Sequence, residues 1–154
     1  MAANDETRKE FLRDELGAYL TELGERDSRV VVVNADLSKT SRNTEFVRQY
    51  PDRAFNVGIA EQNMVSFAAG LACFPVSGGI SGATHWGMED CAIMTAMPDM
   101  TVLEPSDVVQ GKKMMDALLQ LQGPAYMRIS VEPTFPIYDE ACDFEIGKSS
   151  IAYP

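Results

Sequence analysis

Arg29-Val30-Val31-Val32-Val33-Asn34 decides the fold: four β-branched residues in an unbroken run, closed by an amide. Such side chains fit a pleated surface, and a run without polar alternation belongs to a strand covered on both faces, as in a parallel sheet between helices. Ala35-Asp36-Leu37-Ser38 breaks the run, so Asp36 stands in a loop at the strand's carboxyl end. On the amino side, Phe11, Leu12, Leu16, Tyr19, Leu20 and Leu23 recur at helical spacing, which predicts an amphipathic helix from Thr7 with Gly24 as its stop. On the carboxyl side the pattern predicts a short polar helix over 43–50, closed by Pro51, and an extended piece over 55–58. A helix rich in small residues over 59–73 and a Pro- and Gly-rich stretch over 74–82 come next. Thr84 opens a helix to about Ala96, ended by Pro98. Thr101 to Leu103 reads as a strand, and Ser106 and Asp107 cap a helix that runs through Leu119. Ala125 to Ile129 reads as a last strand, and residues 131–154 as irregular chain. Strands alternating with helices give an α/β fold with a mainly parallel sheet flanked by helices.

A chain of 154 residues with 45% hydrophobic content supports one domain, residues 1–154, with its own core. Its formal charge of -10, from 13 basic and 23 acidic side chains, lacks the positive footprint of a nucleic-acid or anionic-membrane binder. Cys73, Cys91 and Cys142 are odd in number and widely spaced, which fits buried reduced thiols better than a disulfide frame or a metal site. The polar opening MAANDETRKE has no apolar core, and no run is long enough to span a membrane, so the expectation is a cytoplasmic protein. The nine methionines read as core filler.

Glu61 is the residue most suggestive of chemistry. It falls in the first turn of the 59–73 helix among Ile59, Ala60, Met64, Val65, Phe67 and Ala68. Burial favours the neutral acid while a helix amino terminus favours the anion, and a carboxyl group held between those influences suits a strong hydrogen bond to one ligand nitrogen. A Glu exposed on a first turn, serving only the helix dipole, is the plainer reading. The small residues Ala68, Ala69, Gly70 and Ala72 allow close approach of another backbone. In open α/β sheets ligands gather beyond the carboxyl ends of strands, which draws Asp36 toward the same place.

The run FNVGIAEQNMVSFAAGLA, Phe55 to Ala72, closely resembles the pyrimidine-binding domain of the transketolase family. TRK at 7–9, NADLS at 34–38, GATHWGMED at 82–90, MTVLEPSD at 100–107 and GPAYMRI at 123–129 resemble further family motifs in the same order. The resemblance implies that Glu61 meets a ring nitrogen of the aminopyrimidine of thiamine diphosphate and activates it. A two-carbon glycolaldehyde unit would then pass from a ketose to an aldose. It implies that His85 reaches a ketose oxygen, that Arg8 reaches the phosphate end of the sugar, and that Asp36 lies close to the cofactor. A helix-start His85, an exposed Arg8 and a turn-forming Asp36 stay open as structural readings.

The chain also departs from the family pattern. Where the family carries a strand, a helix with aromatic residues that stack on the pyrimidine, and another strand, only CFPVSGGIS stands between Ala72 and the GATH motif. Phe74 is then the candidate aromatic shelf. The Gly-Glu-Asp-Gly run before the family's THQ-like motif is replaced by Ile80-Ser81-Gly82, and Val131 aligns with a phosphate-contacting arginine, although Arg128 lies nearby. No Gly-Asp-Gly motif with a following Asn occurs, so the resemblance assigns the diphosphate and magnesium to a partner subunit, as in split transketolases. It also implies homodimerisation through this domain, and that the diphosphate-binding and carboxyl-terminal domains are absent. Asn63-Met64 after GIAEQ favours transketolase over a 1-deoxyxylulose-5-phosphate synthase-like enzyme, and a non-catalytic assembly or regulatory remnant is the alternative of another class.

Overall fold

A computed structural model describes residues 9–60, 76–77, 89–130 and 132–148. Arg8, Glu61, Phe74, Cys73, His85 and Val131 lie outside the described residues, as do most of the 59–73 and 74–82 segments.

Helix α1 (Leu12–Arg26) is followed by β1 (Val32–Asn34), α2 (Thr44–Gln49), a 3-10 turn (Pro51–Arg53) and β2 (Ala54–Asn56). Then come β3 (Val76–Ser77), α3 (Asp90–Thr95), β4 (Thr101–Leu103), α4 (Val108–Leu118), β5 (Ala125–Met127) and β6 (Ile129–Ser130). Among the described residues, the three strand pairings are all parallel. Val32 sits opposite Ala54 and Asn34 opposite Asn56; Thr101 opposite Ala125 and Leu103 opposite Met127; Val76 opposite Ile129. Among the described residues the strands form three two-stranded parallel sheets, flanked by helices.

Helix α1 carries Leu12, Leu16 and Leu23 into the core, where they meet Val108, Met114 and Met115 of α4, with Met127 and Ile129 from the strands. Three of the methionines therefore fill core, as expected, whereas Met97 stands exposed. Cys91 and Cys142 are free thiols, each only half-buried, and burial pushes both above the ordinary thiol range.

Several boundaries differ from expectation. Gly24 does not stop α1, which continues to Arg26 and ends at Asp27. The glycine serves packing instead: a Cβ there would lie 2.5 Å from the Phe46 ring, so its absence lets α2 close on α1. Helix α1 begins at Leu12 rather than near Thr7, because Glu10 is taken into an antiparallel bridge with Thr134. Only Val32–Asn34 of the long valine run is ladder, since its partner β2 offers three residues. The stretch 125–130 breaks at Arg128 because it changes partner, pairing β4 in its first half and β3 in its second.

The cap of α4 forms as anticipated. Asp107, 1% exposed, accepts from the Gln110 N–H at 2.8 Å, while the Gln110 side chain accepts from the Ser106 N–H at 2.8 Å. Its second oxygen accepts from the Ile137 and Tyr138 N–H groups, both at 2.7 Å, and so pins the irregular tail to the helix.

Candidate functional site

β1 and β2 end together, with Asn34 and Asn56 paired at their carboxyl ends. Parallel pairing brings the two following loops to one edge of the sheet, and both carry candidate residues: Asp36 after β1, and the turn toward Glu61 after β2. The last ladder bond runs from the Val57 N–H to the Asn34 carbonyl, at 2.8 Å.

The Asn56 side chain joins the loops. Its Oδ1 accepts from the Asp36 N–H at 3.0 Å and from the Gly58 N–H at 2.9 Å. Its Nδ2 donates to the Asp36 carboxylate at 3.2 Å. Asp36 is exposed, and its backbone lies in the left-handed region at φ 62°. Asp tolerates that conformation better than most residues because its short polar side chain bonds locally. Gly58, at φ 75°, leads into a tight turn in which the Ala60 N–H donates to the Gly58 carbonyl at 2.8 Å. Glycine meets that φ without steric cost.

Behind this edge the 35–43 loop is polar and strained. Asn43 donates from Nδ2 to Asn34 Oδ1 at 3.0 Å, and both residues are buried. Arg42 is also left-handed, at φ 57°, and the Asn43 Oδ1 is buried without a hydrogen-bond partner. An unmatched buried acceptor costs on the order of 1–3 kcal/mol. Strain of this kind gathers where a loop must hold a particular shape.

A second constellation occupies the carboxyl ends of β4 and β5. Arg128 grips Glu104 through two bonds, Nε to Oε1 at 2.9 Å and a terminal nitrogen to Oε2 at 2.7 Å. Its other terminal nitrogen donates to Asp90 at 3.0 Å, and the Tyr126 hydroxyl donates to the same carboxylate. Burial pushes the Asp90 carboxyl up, but the Tyr126 hydroxyl, the Cys91 N–H and Arg128 together hold it below its ordinary value. The grip of Glu104 raises Arg128 against the opposing effect of burial.

Of the residues expected at the site, Asp36 is where the sequence put it, at the end of the first strand and in an exposed loop. Glu61, His85, Phe74 and Arg8 lie outside the described residues. Sequence reasoning missed Asn56 and the Asp90–Arg128–Glu104 cluster. The available signal was modest: each hydrophobic strand, VVN and AFN, closes on an asparagine.

The chain matches the family described as "Transketolase, pyrimidine binding domain" over residues 11–76 and 73–133. It is 33% identical to a transketolase C-terminal section of Methanocaldococcus jannaschii, covering 91% of this chain and 57% of the relative. It is 31% identical to a 6-deoxy-6-sulfo-D-fructose transketolase subunit from Clostridium sp., covering 92% of this chain and 56% of that subunit. Among solved structures, a split-gene transketolase, captured as an inactive beta4 tetramer, superposes with a TM-score of 0.79 at 28% identity, over 92% of this chain and 58% of its own. The chain thus spans little more than half the length of the relatives it matches. The alignment to the Methanocaldococcus relative runs over 181 positions yet takes in 91% of 154 residues, about 140, so roughly 40 of its positions have no residue opposite them here. The two family segments meet at residues 73–76, where the sequence had suggested a shortened chain.

Proposed function

This chain belongs to the family of transketolase pyrimidine-binding domains, and from that premise we propose that it is the pyrimidine-binding subunit of a split thiamine-diphosphate transketolase. The observation that carries the reading is the meeting of the Asp36 loop and the turn toward Glu61 on one polar edge, at the carboxyl ends of two parallel strands. A carboxylate and amides at such an edge fit an aminopyrimidine, whose ring nitrogens accept hydrogen bonds and whose exocyclic amine donates them.

In this reading Glu61 holds its carboxyl group against a ring nitrogen and so sets the tautomer of the pyrimidine. Asp36 stands beside the ring, and Phe74 offers it an apolar face. His85 and Arg8 bind the sugar, the first at a ketose oxygen and the second at the phosphate end. Thiamine diphosphate, when bound, supplies the electron sink that carbon–carbon cleavage needs, and the protein supplies orientation and protonation state. The reaction is transfer of a two-carbon glycolaldehyde unit from a ketose to an aldose, in the cytoplasm.

The diphosphate and its magnesium fall to a second subunit, and copies of this chain pair through this domain. That the split-gene transketolase was inactive as a tetramer of beta chains supports the need for such a partner. Reconstitution tests this. The chain, a diphosphate-binding transketolase subunit, thiamine diphosphate and magnesium should together give two-carbon transfer, and neither polypeptide alone should. Calorimetry showing no cofactor heat in the mixture, with no transfer, would favour a non-catalytic assembly role.

A further inference from the structure

We propose that Asn56 is a positioning residue that couples the Asp36 loop to the backbone entering Glu61. The inference rests on the reading of the site given above. One side chain makes three contacts that span both loops: two N–H groups, of Asp36 and Gly58, converge on its Oδ1, and its Nδ2 reaches the Asp36 carboxylate. Its planar amide carries an acceptor and a donor side by side at this reach. Aspartate lacks the donor, and leucine lacks both.

The geometry of each end makes the contact consequential. Asp36 holds a left-handed backbone at φ 62°, and its N–H is satisfied by Asn56. Gly58, also with positive φ, begins the tight turn that closes at Ala60, one residue before Glu61. The register fixes Asn56 itself, since it ends β2 opposite Asn34, the last residue of β1. The sheet therefore sets the amide, and the amide sets both loops. Asn56 touches neither substrate nor cofactor in this account; it acts through Asp36 and Gly58.

The test has a structural and a kinetic arm. In the full chain, amide hydrogen exchange followed by NMR should speed up about five-fold at Asp36 and Gly58 in Asn56→Ala, the worth of one ordinary hydrogen bond. Amides of the core strands should not change. The double variant Asp36→Asn/Asn56→Asp exchanges donor and acceptor and should restore both protections. If Asn56→Ala does not fold, Asn56→Asp replaces it: two carboxylates then face each other where Nδ2 met the Asp36 side chain, their repulsion should pull the loops apart and speed exchange at Asp36, and the double variant should reverse this. With the partner subunit, thiamine diphosphate and magnesium, Asn56→Ala should lower kcat about ten-fold, a modest misplacement effect, with the sugar KM little changed. Unaltered exchange at both amides overturns the proposal, as does full kcat in Asn56→Ala when Glu61→Ala has lost it. Full turnover in Glu61→Ala would instead overturn the functional reading, while the exchange arm still decides whether Asn56 couples the loops.

Discussion

Two strand ends, built on the same parallel geometry, are finished with opposite chemistry. Where β1 and β2 stop, neutral amides and one exposed carboxylate link loops held at positive φ. Where β4 and β5 stop, Arg128 is clamped between Glu104 and Asp90, with Tyr126 completing the shell. A two-bond guanidinium–carboxylate grip is strong and directional. Neutral amide bonds are worth less each than a charge-assisted pair. The difference teaches that one edge is closed by charge pairing and the other is finished with neutral amides and a single exposed carboxylate.

The largest stability effect should come from the packing beneath the amide edge. Phe46 is fully buried between α1 and α2, with Gly24 and Tyr50 against its ring. Phe46→Ala should cost about 3–5 kcal/mol in urea unfolding. A loss below about 1 kcal/mol would mean that α2 does not anchor this edge. Next, Arg128→Gln at the ionic edge leaves Asp90 and Glu104 without their cation. Because these side chains are 16% to 51% exposed, solvent discounts the effect to roughly 2 kcal/mol. Equal destabilisation by Asn56→Ala would erase the contrast between the two edges.

A pH experiment sharpens it further. Asp90 has its folded pKa below the ordinary value of 3.8, so the unfolded chain takes up its proton first on acidification. Its contribution is therefore present at neutral pH and is lost as pH falls below about 4. Asp90→Asn should flatten the acid limb of the stability curve. The smallest effect belongs to the exposed pair Arg48–Glu45, 2.5 Å apart. Although Arg48 draws the Glu45 pKa down to about 2, both are solvated, and Arg48→Ala should leave Tm unchanged within error.

The sequence announced those features whose causes are local. The Val32–Asn34 half of RVVVVN as strand, the Ser106-Asp107 cap and Thr101–Leu103 as strand follow from side-chain stiffness and hydrogen-bonding reach within a few residues. Gly24 misled because a glycine that ends a helix and one that admits a neighbouring ring look alike until Phe46, 22 positions on, is in place. The break at Arg128 depends on which strand lies alongside, and Asn56 gains its meaning only from register against Asn34. Of the candidate site, the place of Asp36 in the loop after a strand was legible. Glu61, His85, Phe74 and Arg8 rest on motif resemblance.

Glu61→Ala in the reconstituted enzyme tests the central claim most directly, by steady-state two-carbon transfer at saturating cofactor. The variant should lose about 100-fold or more in kcat, the scale of a lost proton-handling group, while still folding and still binding its partner. Turnover within a factor of two of the unaltered enzyme would contradict it.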